Sequence, residues 1–382
     1  MTDFTKLCEF YKGKRVLITG HTGFKGSYLT VILGLMGAEV YGYALKPSTD
    51  PCLFDIIYGD GMSSRTETEL AVKCSGTGNV GSGIIESRIA DIRDMETLSE
   101  YYSRINPEIV IHMAAQPLVR ESYRIPRETY EINAMGTVNI LECIRRNPGC
   151  ISFLNVTTDK VYYNEEKPGY GYKEDDKLDG FDPYANSKSC SELITHSYAA
   201  SFLTALGTAV STARAGNVIG GGDFSADRII PDCVRAAING TEMVLRNPGS
   251  IRPYQHALEP LFVYLTIAME QALDMNYAGW YNVGPDKEDC ITTGELCRLF
   301  SHEYGNNMQI SSSAENNAPH EAGLLLLDNS KIKSCFNWEP IWHIDKAVQA
   351  VCSWTKAWKR SNVEANDELI RQILVYSEDG KE

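Results

Sequence analysis

Read for periodicity, the first half of the chain alternates between short, unbroken apolar runs and longer stretches in which apolar residues recur every three or four positions. "KRVLITG" is a β-branched run that closes on glycine, and "FKGSYLTVILGLMG" behind it carries Leu29, Ile32, Leu33 and Met36 at helical spacing. "EVYGYA", "EIVIHM" (108–113), "ISFLNV" (151–156) and "TAVSTA" (208–213) read as further strands, with helical stretches near 94–104, 126–146 and 184–205 between them. Strands alternating with helices of this length predict an α/β protein, a doubly wound parallel sheet covered on both faces, with ligands at the C-terminal strand ends. Beyond residue 215 the rhythm gives way to glycine-rich loops, short helices and isolated strands such as "WYNVG". That change predicts a smaller C-terminal lobe completing a cleft. The expected division is 1–215 for the sheet domain and 216–382 mainly for the second lobe, with a return to the first around 250–278. No internal repeat is visible.

One segment resists the pattern. From Lys46 to Arg88 there is little periodicity, and "CSGTGNVGSG" (74–83) is nearly all small residues. A loop this long in a compact domain is usually functional or disordered, and here a mobile surface excursion is expected rather than a substrate lid.

Composition narrows the partners. With 382 residues, 43% of them hydrophobic, the chain can bury a large core. A net charge of −14 argues against nucleic acid or an anionic membrane as partner, since a polyanion binder needs surplus Lys and Arg. "MTDFTKLCEF" has no basic flank before an apolar stretch, and no apolar run is long enough to span a bilayer, so a cytoplasmic location is expected. Eleven cysteines, with no C-x-x-C pair, read as reduced core thiols, and no cluster has metal-ligand spacing.

Three stretches carry chemistry. In "GHTGFKG", Gly20, Gly23 and Gly26 lie between a strand and a helix, where glycine allows a tight turn and close approach to a pyrophosphate at the helix N-terminus. A dinucleotide is the expected ligand, with Thr22, Phe24 and Lys25 beside it; Ala114, Ala115 and Gln116 follow a central strand where the backbone can pass along it. Tyr184 and Lys188 in "YANSK" share one face of a helix start. An ammonium beside the phenol favours the phenolate and brings a poor base into working range. In "TTDK", Thr157 and Thr158 end a strand; Thr158 offers a hydroxyl to a developing carbonyl, and Asp159 and Lys160 follow as a surplus acid and amine.

The three-and-three glycine spacing, with Thr158, Tyr184 and Lys188, resembles the extended short-chain dehydrogenase/reductases, which implies a Rossmann-type NAD(P)-binding domain and a sugar-nucleotide lobe. In that family an acidic residue after the second strand commonly holds the ribose of NAD; "YGYALKPS" has no carboxylate and has Lys46, so NAD and NADP both stay open, with NAD expected. The resemblance puts Asp91 and Ile92 against adenine and Asn133 near the nicotinamide half; spacing alone allows a helix cap and an internal polar contact equally. "TTDK", "MAAQPLVRESY", "DPYANSK", "RAGNVIGGGDF", "DRIIPD" and "IRPYQHALEPL" resemble the CDP-glucose branch of the sugar-nucleotide 4,6-dehydratases over about residues 13–358. The family's chemistry implies that Asp159 protonates the departing C6 hydroxyl and Lys160 lies near the C5 proton, forming a 4-dehydro-6-deoxy sugar for surface-polysaccharide synthesis in a homodimer. Two departures stand out: the 63–86 loop is longer than the family pattern, and Thr158 replaces a common Ser.

For the substrate diphosphate Arg252 is the first choice, then Arg228 and Arg246, because guanidinium forks match phosphate oxygens. Asn217 is expected on phosphate or sugar, and Tyr254 either stacks or packs. "PHEA" (319–322) resembles a stretch near the nucleotide. Rival readings are another sugar-nucleotide dehydratase, a 4-epimerase, which needs no Asp159, and a catalytically silent dinucleotide-binding regulator, which has no use for Tyr184 and Lys188.

Overall fold

The computed structural model describes residues 4–59, 61–62, 67–71, 84–305, 308–313 and 323–380. The chain runs through α1 (Phe4–Tyr11), β1 (Arg15–Thr19), α2 (Phe24–Leu35), β2 (Glu39–Ala44), α3 (Leu53–Tyr58), β3 (Glu67–Ala71), β4 (Ile84–Ile89), α4 (Met95–Ile105) and β5 (Ile109–His112). It continues through α5 (Val119–Arg124), α6 (Pro126–Tyr130), α7 (Gly136–Arg146), β6 (Ser152–Thr158), α8 (Pro183–Tyr198) and β7 (Ala209–Ala215). Strands β1, β5, β6 and β7 are apolar enough to be buried on both faces, as central strands of a helix-covered parallel sheet must be.

The seven strands β1–β7 and a later one, β12 (Trp280–Val283), form one eight-stranded sheet in the order β12-β7-β6-β5-β1-β2-β4-β3. Every pair in it is parallel except β3 with β4. The order reverses between β1 and β5, which places the binding crevice at the C-terminal ends of those strands. The Rossmann-type expectation holds, with two corrections. The Lys46–Arg88 segment is not simply a surface excursion: α3 buries Phe54 and Ile57 in the main core, and β4 extends the parallel sheet. Strand β4 escapes periodicity because it buries Ser87, bonded to His21 at 2.7 Å, where an apolar residue would have signalled a strand. The small-residue run, 74–83, lies outside the described residues.

The second correction concerns "WYNVG". After β8 (Val218–Ile219), α9 (Ile229–Asn239), β9 (Met243–Leu245), β10 (Ile251–Pro253), β11 (Gln255–His256) and α10 (Leu258–Leu273), strand β12 (Trp280–Val283) pairs parallel with β7 at the end of the large sheet. It is no isolated strand. Helix α10, apolar nearly all round, is buried against β6 and β7 in the main core.

The remaining elements are β13 (Cys290–Thr292), α11 (Thr293–Tyr304), β14 (Ile310–Ser312), α12 (Ser330–Phe336), α13 (Ile344–Trp358) and α14 (Asn362–Asp379). A smaller core gathers Ile230, Cys233, Tyr254, Leu296 and Phe300 from α9, β10–β11 and α11. Helix α13 serves both cores: Val348 and Val351 enter the smaller one, while Ala350 and Trp354 join the larger.

Candidate active site

Strand β6 ends on Thr158, and the chain turns at once into a single 3-10 turn, Asp159–Val161. The turn brings the surplus acid back over the strand end instead of releasing it to solvent. Asp159 is wholly buried. Its Oδ1 accepts from Thr158 Oγ1 at 2.9 Å and from Lys160 Nζ at 3.2 Å, and its Oδ2 from Asn217 Nδ2 at 3.5 Å. Gly216 makes room for it: a Cβ there would stand 2.3 Å from Asp159 Oδ2. Asn217, next in the chain, holds a positive φ of 28°, strain of the kind that gathers at functional sites.

Helix α8 starts under an Asp182 cap with Pro183 in its first turn, which aims Tyr184 at the same strand end. Burial pushes the Tyr184 phenol up to about 12, with Asp159 adding to the rise and the Thr158 hydroxyl and Arg228 opposing it. Lys188 is buried one turn on and donates to the Val156 carbonyl at 3.2 Å. Desolvation lowers it to about 8, against the pull of Glu192. Lys25, from the glycine loop, leans over the Tyr264 ring at 5.7 Å and is lowered to about 7, first by burial and then by Lys188 and Arg228.

A cavity of about 1040 Å³ opens above these groups. It brings together Phe24, Lys25, Thr157, Thr158, Lys160, Tyr184, Asn217, Arg228, Arg246, Arg252 and Tyr254, residues far apart in the chain. Two of the expected phosphate cations are held by carboxylates of one loop: Arg228 by Asp223 at 3.0 Å and Arg246 by Asp227 at 2.8 Å. Arg252 donates to the Ile251 carbonyl at 3.0 Å. Tyr254 packs in the smaller core, its hydroxyl 3.1 Å from Thr293 Oγ1. The wall also includes Arg120 and Arg124 of α5, which sequence reasoning passed over. Two arginines four apart, just past the end of β5, were the available signal. His320 and Glu321 lie outside the described residues.

The glycine loop fits a dinucleotide. Gly20 has φ +81° and a Cβ on it would press on the Ala114 backbone at 2.8 Å, while one on Gly26 would lie 2.2 Å from the Gly20 carbonyl. Gly23 is the exposed N-cap of α2, and no side chain caps that helix. A pyrophosphate therefore finds the open end of a helix dipole. Thr22 braces the loop through a 2.7 Å bond to the Leu45 carbonyl.

Other expected cofactor contacts are engaged internally. Asn133 is buried, accepting from Gln116 N at 2.9 Å and donating to Ser187 Oγ at 2.9 Å. The Gln116 side chain bonds Leu118 and Thr129, and the Thr157 hydroxyl is turned to Glu192. Asp91 forks onto Arg93, and Ile92 sits against Gly136, whose Cβ would meet it at 2.8 Å. Ala114 and Ala115 follow β5 along the crevice.

The family described as GDP-mannose 4,6 dehydratase matches residues 17–351. The chain is 41% identical over 358 residues to the CDP-glucose 4,6-dehydratase of Salmonella typhimurium, covering 92% of this chain and 93% of that protein. It is 24% identical to the CDP-paratose 2-epimerase of Salmonella typhi, over 90% of this chain and 99% of that one. Among solved structures, a dTDP-glucose 4,6-dehydratase from Bacillus anthracis in complex with NAD superimposes with a TM-score of 0.71 at 19% identity, over 91% of this chain and 98% of that chain. A UDP-glucose 4-epimerase from Thermotoga maritima gives 0.73 at 20% identity, over 90% and 99%.

Proposed function

The chain belongs to the GDP-mannose 4,6 dehydratase family, and within it we propose that this protein is an NAD-dependent CDP-glucose 4,6-dehydratase, a hydro-lyase forming CDP-4-dehydro-6-deoxy-D-glucose. The observation that carries the reading is Asp159: a wholly buried carboxyl beside the oxidising Thr158 and Tyr184. A 4-epimerase has no step that uses it, and a silent binding protein has no use for the set.

Gly20, Gly23 and Gly26 would hold the dinucleotide, with the uncapped N-terminus of α2 available to its pyrophosphate. Bound there, the nicotinamide supplies hydride acceptance from C4 and its return to C6. Tyr184, with Lys188 one turn on, takes the O4 proton, the Thr158 hydroxyl and Arg228 opposing the rise that burial gives its phenol, while Thr158 steadies the oxygen. The resulting ketone acidifies C5. Lys160 takes the C5 proton, and Asp159 protonates O6 so that water leaves. The Lys160 proton returns to C5 as C6 is reduced, and the proton gained by Tyr184 replaces the one Asp159 gave up, so the protons balance. Arg252, with Arg228 and Arg246, faces the diphosphate.

The same reading includes a homodimer. Leu193 of α8 is 54% exposed and Met135, before α7, is 51% exposed, with Phe202 and Leu206 open beyond α8. Leu193→Asp should shift sedimentation from dimer to monomer. No described helix is long and apolar enough to cross a membrane. We place the reaction in the cytoplasm, supplying deoxysugars for surface polysaccharide. The deciding experiment incubates purified protein with CDP-, dTDP- and GDP-sugars and follows loss of water by mass spectrometry: loss from CDP-glucose is expected, and loss from another nucleotide alone moves the assignment.

A further inference from the structure

We propose that Arg214 is the positioning residue that keeps the oxidation groups and the elimination groups in register, an inference that rests on the dehydratase reading. Arg214 is wholly buried beneath the site, on β7, where it is the register partner of Thr157 on β6. Its guanidinium reaches three segments. Nη2 donates to Glu192 Oε2 at 2.9 Å, and Nη1 donates to the Tyr162 hydroxyl at 2.8 Å and to the Glu174 carbonyl at 2.9 Å.

Two of these contacts lead to catalytic groups. Glu192 lies on α8 one turn beyond Lys188 and two beyond Tyr184, so its side chain anchors the face of the helix that carries both. Glu192 Oε1 also accepts from the Thr157 hydroxyl, which ties the residue next to Thr158 to the helix. Thr212 adds a 2.7 Å bond and His196 one at 3.2 Å to Oε2. Tyr162 closes the 3-10 turn that carries Asp159 and Lys160, and its hydroxyl donates a hydrogen bond to Asn282 Oδ1 at 2.6 Å. One guanidinium therefore links helix, strand and turn.

The cost of this arrangement points to a role in geometry. Removing two charges from water costs several kcal/mol for each, and apolar residues of the same volume often serve stability as well. What the pair adds is directional contact, which an apolar cluster cannot supply. The reaction needs that direction, because one bound sugar must present C4 to Tyr184 and O6 to Asp159. A misplacement of about 1 Å can cost on the order of 10²-fold.

The test is a single turnover of the NAD-loaded protein with CDP-glucose. Thr157→Val removes the hydroxyl that ties the strand to Glu192, Tyr162→Phe removes the one that ties the turn to Arg214, and both leave the buried pair whole. Glu192→Gln is the more severe third variant, and the two hydroxyl variants decide the matter if it does not fold. Three readouts are followed: reduced-nicotinamide absorbance, loss of the C6 oxygen by mass spectrometry, and dinucleotide binding with thermal melting. Thr157→Val should slow cofactor reduction by on the order of tenfold, with elimination keeping pace. Tyr162→Phe should reduce cofactor at the wild-type rate and then accumulate it, because elimination lags. Equal slowing of both steps in both variants, or slowing of neither, overturns the proposal. Wild-type protein run alongside separates the two failures: no water loss from any sugar nucleotide overturns the dehydratase reading and this inference with it, whereas normal wild-type turnover with unselective variants overturns the inference alone.

Discussion

Asp159 is held by its chain neighbours Thr158 and Lys160, both of which enter the proposed reaction, and by Asn217 from just past the end of β7. Replacing it with Asn keeps the shape and removes the proton that O6 needs. In a single turnover Asp159→Asn should accumulate reduced nicotinamide and a 4-keto sugar that retains its C6 oxygen; release of 6-deoxy product at the normal rate would refute the assignment. Tyr184→Phe should lose about 10²–10⁴-fold in turnover while dinucleotide titration stays near wild type, because the hydroxyl acts on the sugar and the ring packs. The five residues proposed for catalysis could be picked out in the sequence because strand-end hydroxyl, acid and Y-x-x-x-K spacing are local signals. The Asn217–Asp159 contact and the Arg214 hub were not: they join residues 58 and 22 or more positions apart, and only the fold brings them together.

Elements show where periodicity informs and where it misleads. Strands β1, β5, β6 and β7 were legible as apolar runs, whereas β4 hid behind a buried serine and β12 behind its distance from the other strands. Helix α10 carries a further polar surprise in its first turn, Glu259, which is buried and accepts from the backbone N–H groups of Ile341 at 3.0 Å and Trp342 at 2.6 Å. Desolvation raises its carboxyl from 4.5 to about 7, against those two bonds, the Tyr376 hydroxyl and the His343 charge. A raised acid keeps its proton in the fold after the unfolded chain has released it. Stability from this group is therefore full below about 4.5 and falls as pH rises towards 7, by up to ~1.4 kcal/mol per unit. His343, raised by Asp289, slopes the same way just above 6.5, so the comparison must be made at matched pH. Glu259→Gln should flatten the decline, seen as a smaller difference between urea melts at pH 5 and pH 7.5.

At the scale of the whole molecule, α13 denies the two cores independence. Trp354 fills the space over Gly221, where a Cβ would stand 2.2 Å from the indole, while Val348 and Val351 on the same helix serve the smaller core. Calorimetry should therefore record one transition, and Trp354→Ala should lower it by about 3–5 kcal/mol without splitting it; two separated transitions in the wild type would contradict the shared helix. The same scale exposes a rule of admission to the cleft. Arg228 and Arg246 each rest on a carboxylate of the 223–228 loop, so two of the cations proposed for the diphosphate are already matched by the protein, within a chain of net charge −14. A visitor gains only what it offers beyond Asp223 and Asp227. Two linked phosphates can offer a separate set of oxygens to each arginine fork, which a single phosphate group does not. The cleft thus counts phosphate groups before it reads a sugar: CMP and hexose monophosphates should compete poorly with CDP in titration, whereas Asp227→Asn should narrow the gap between them.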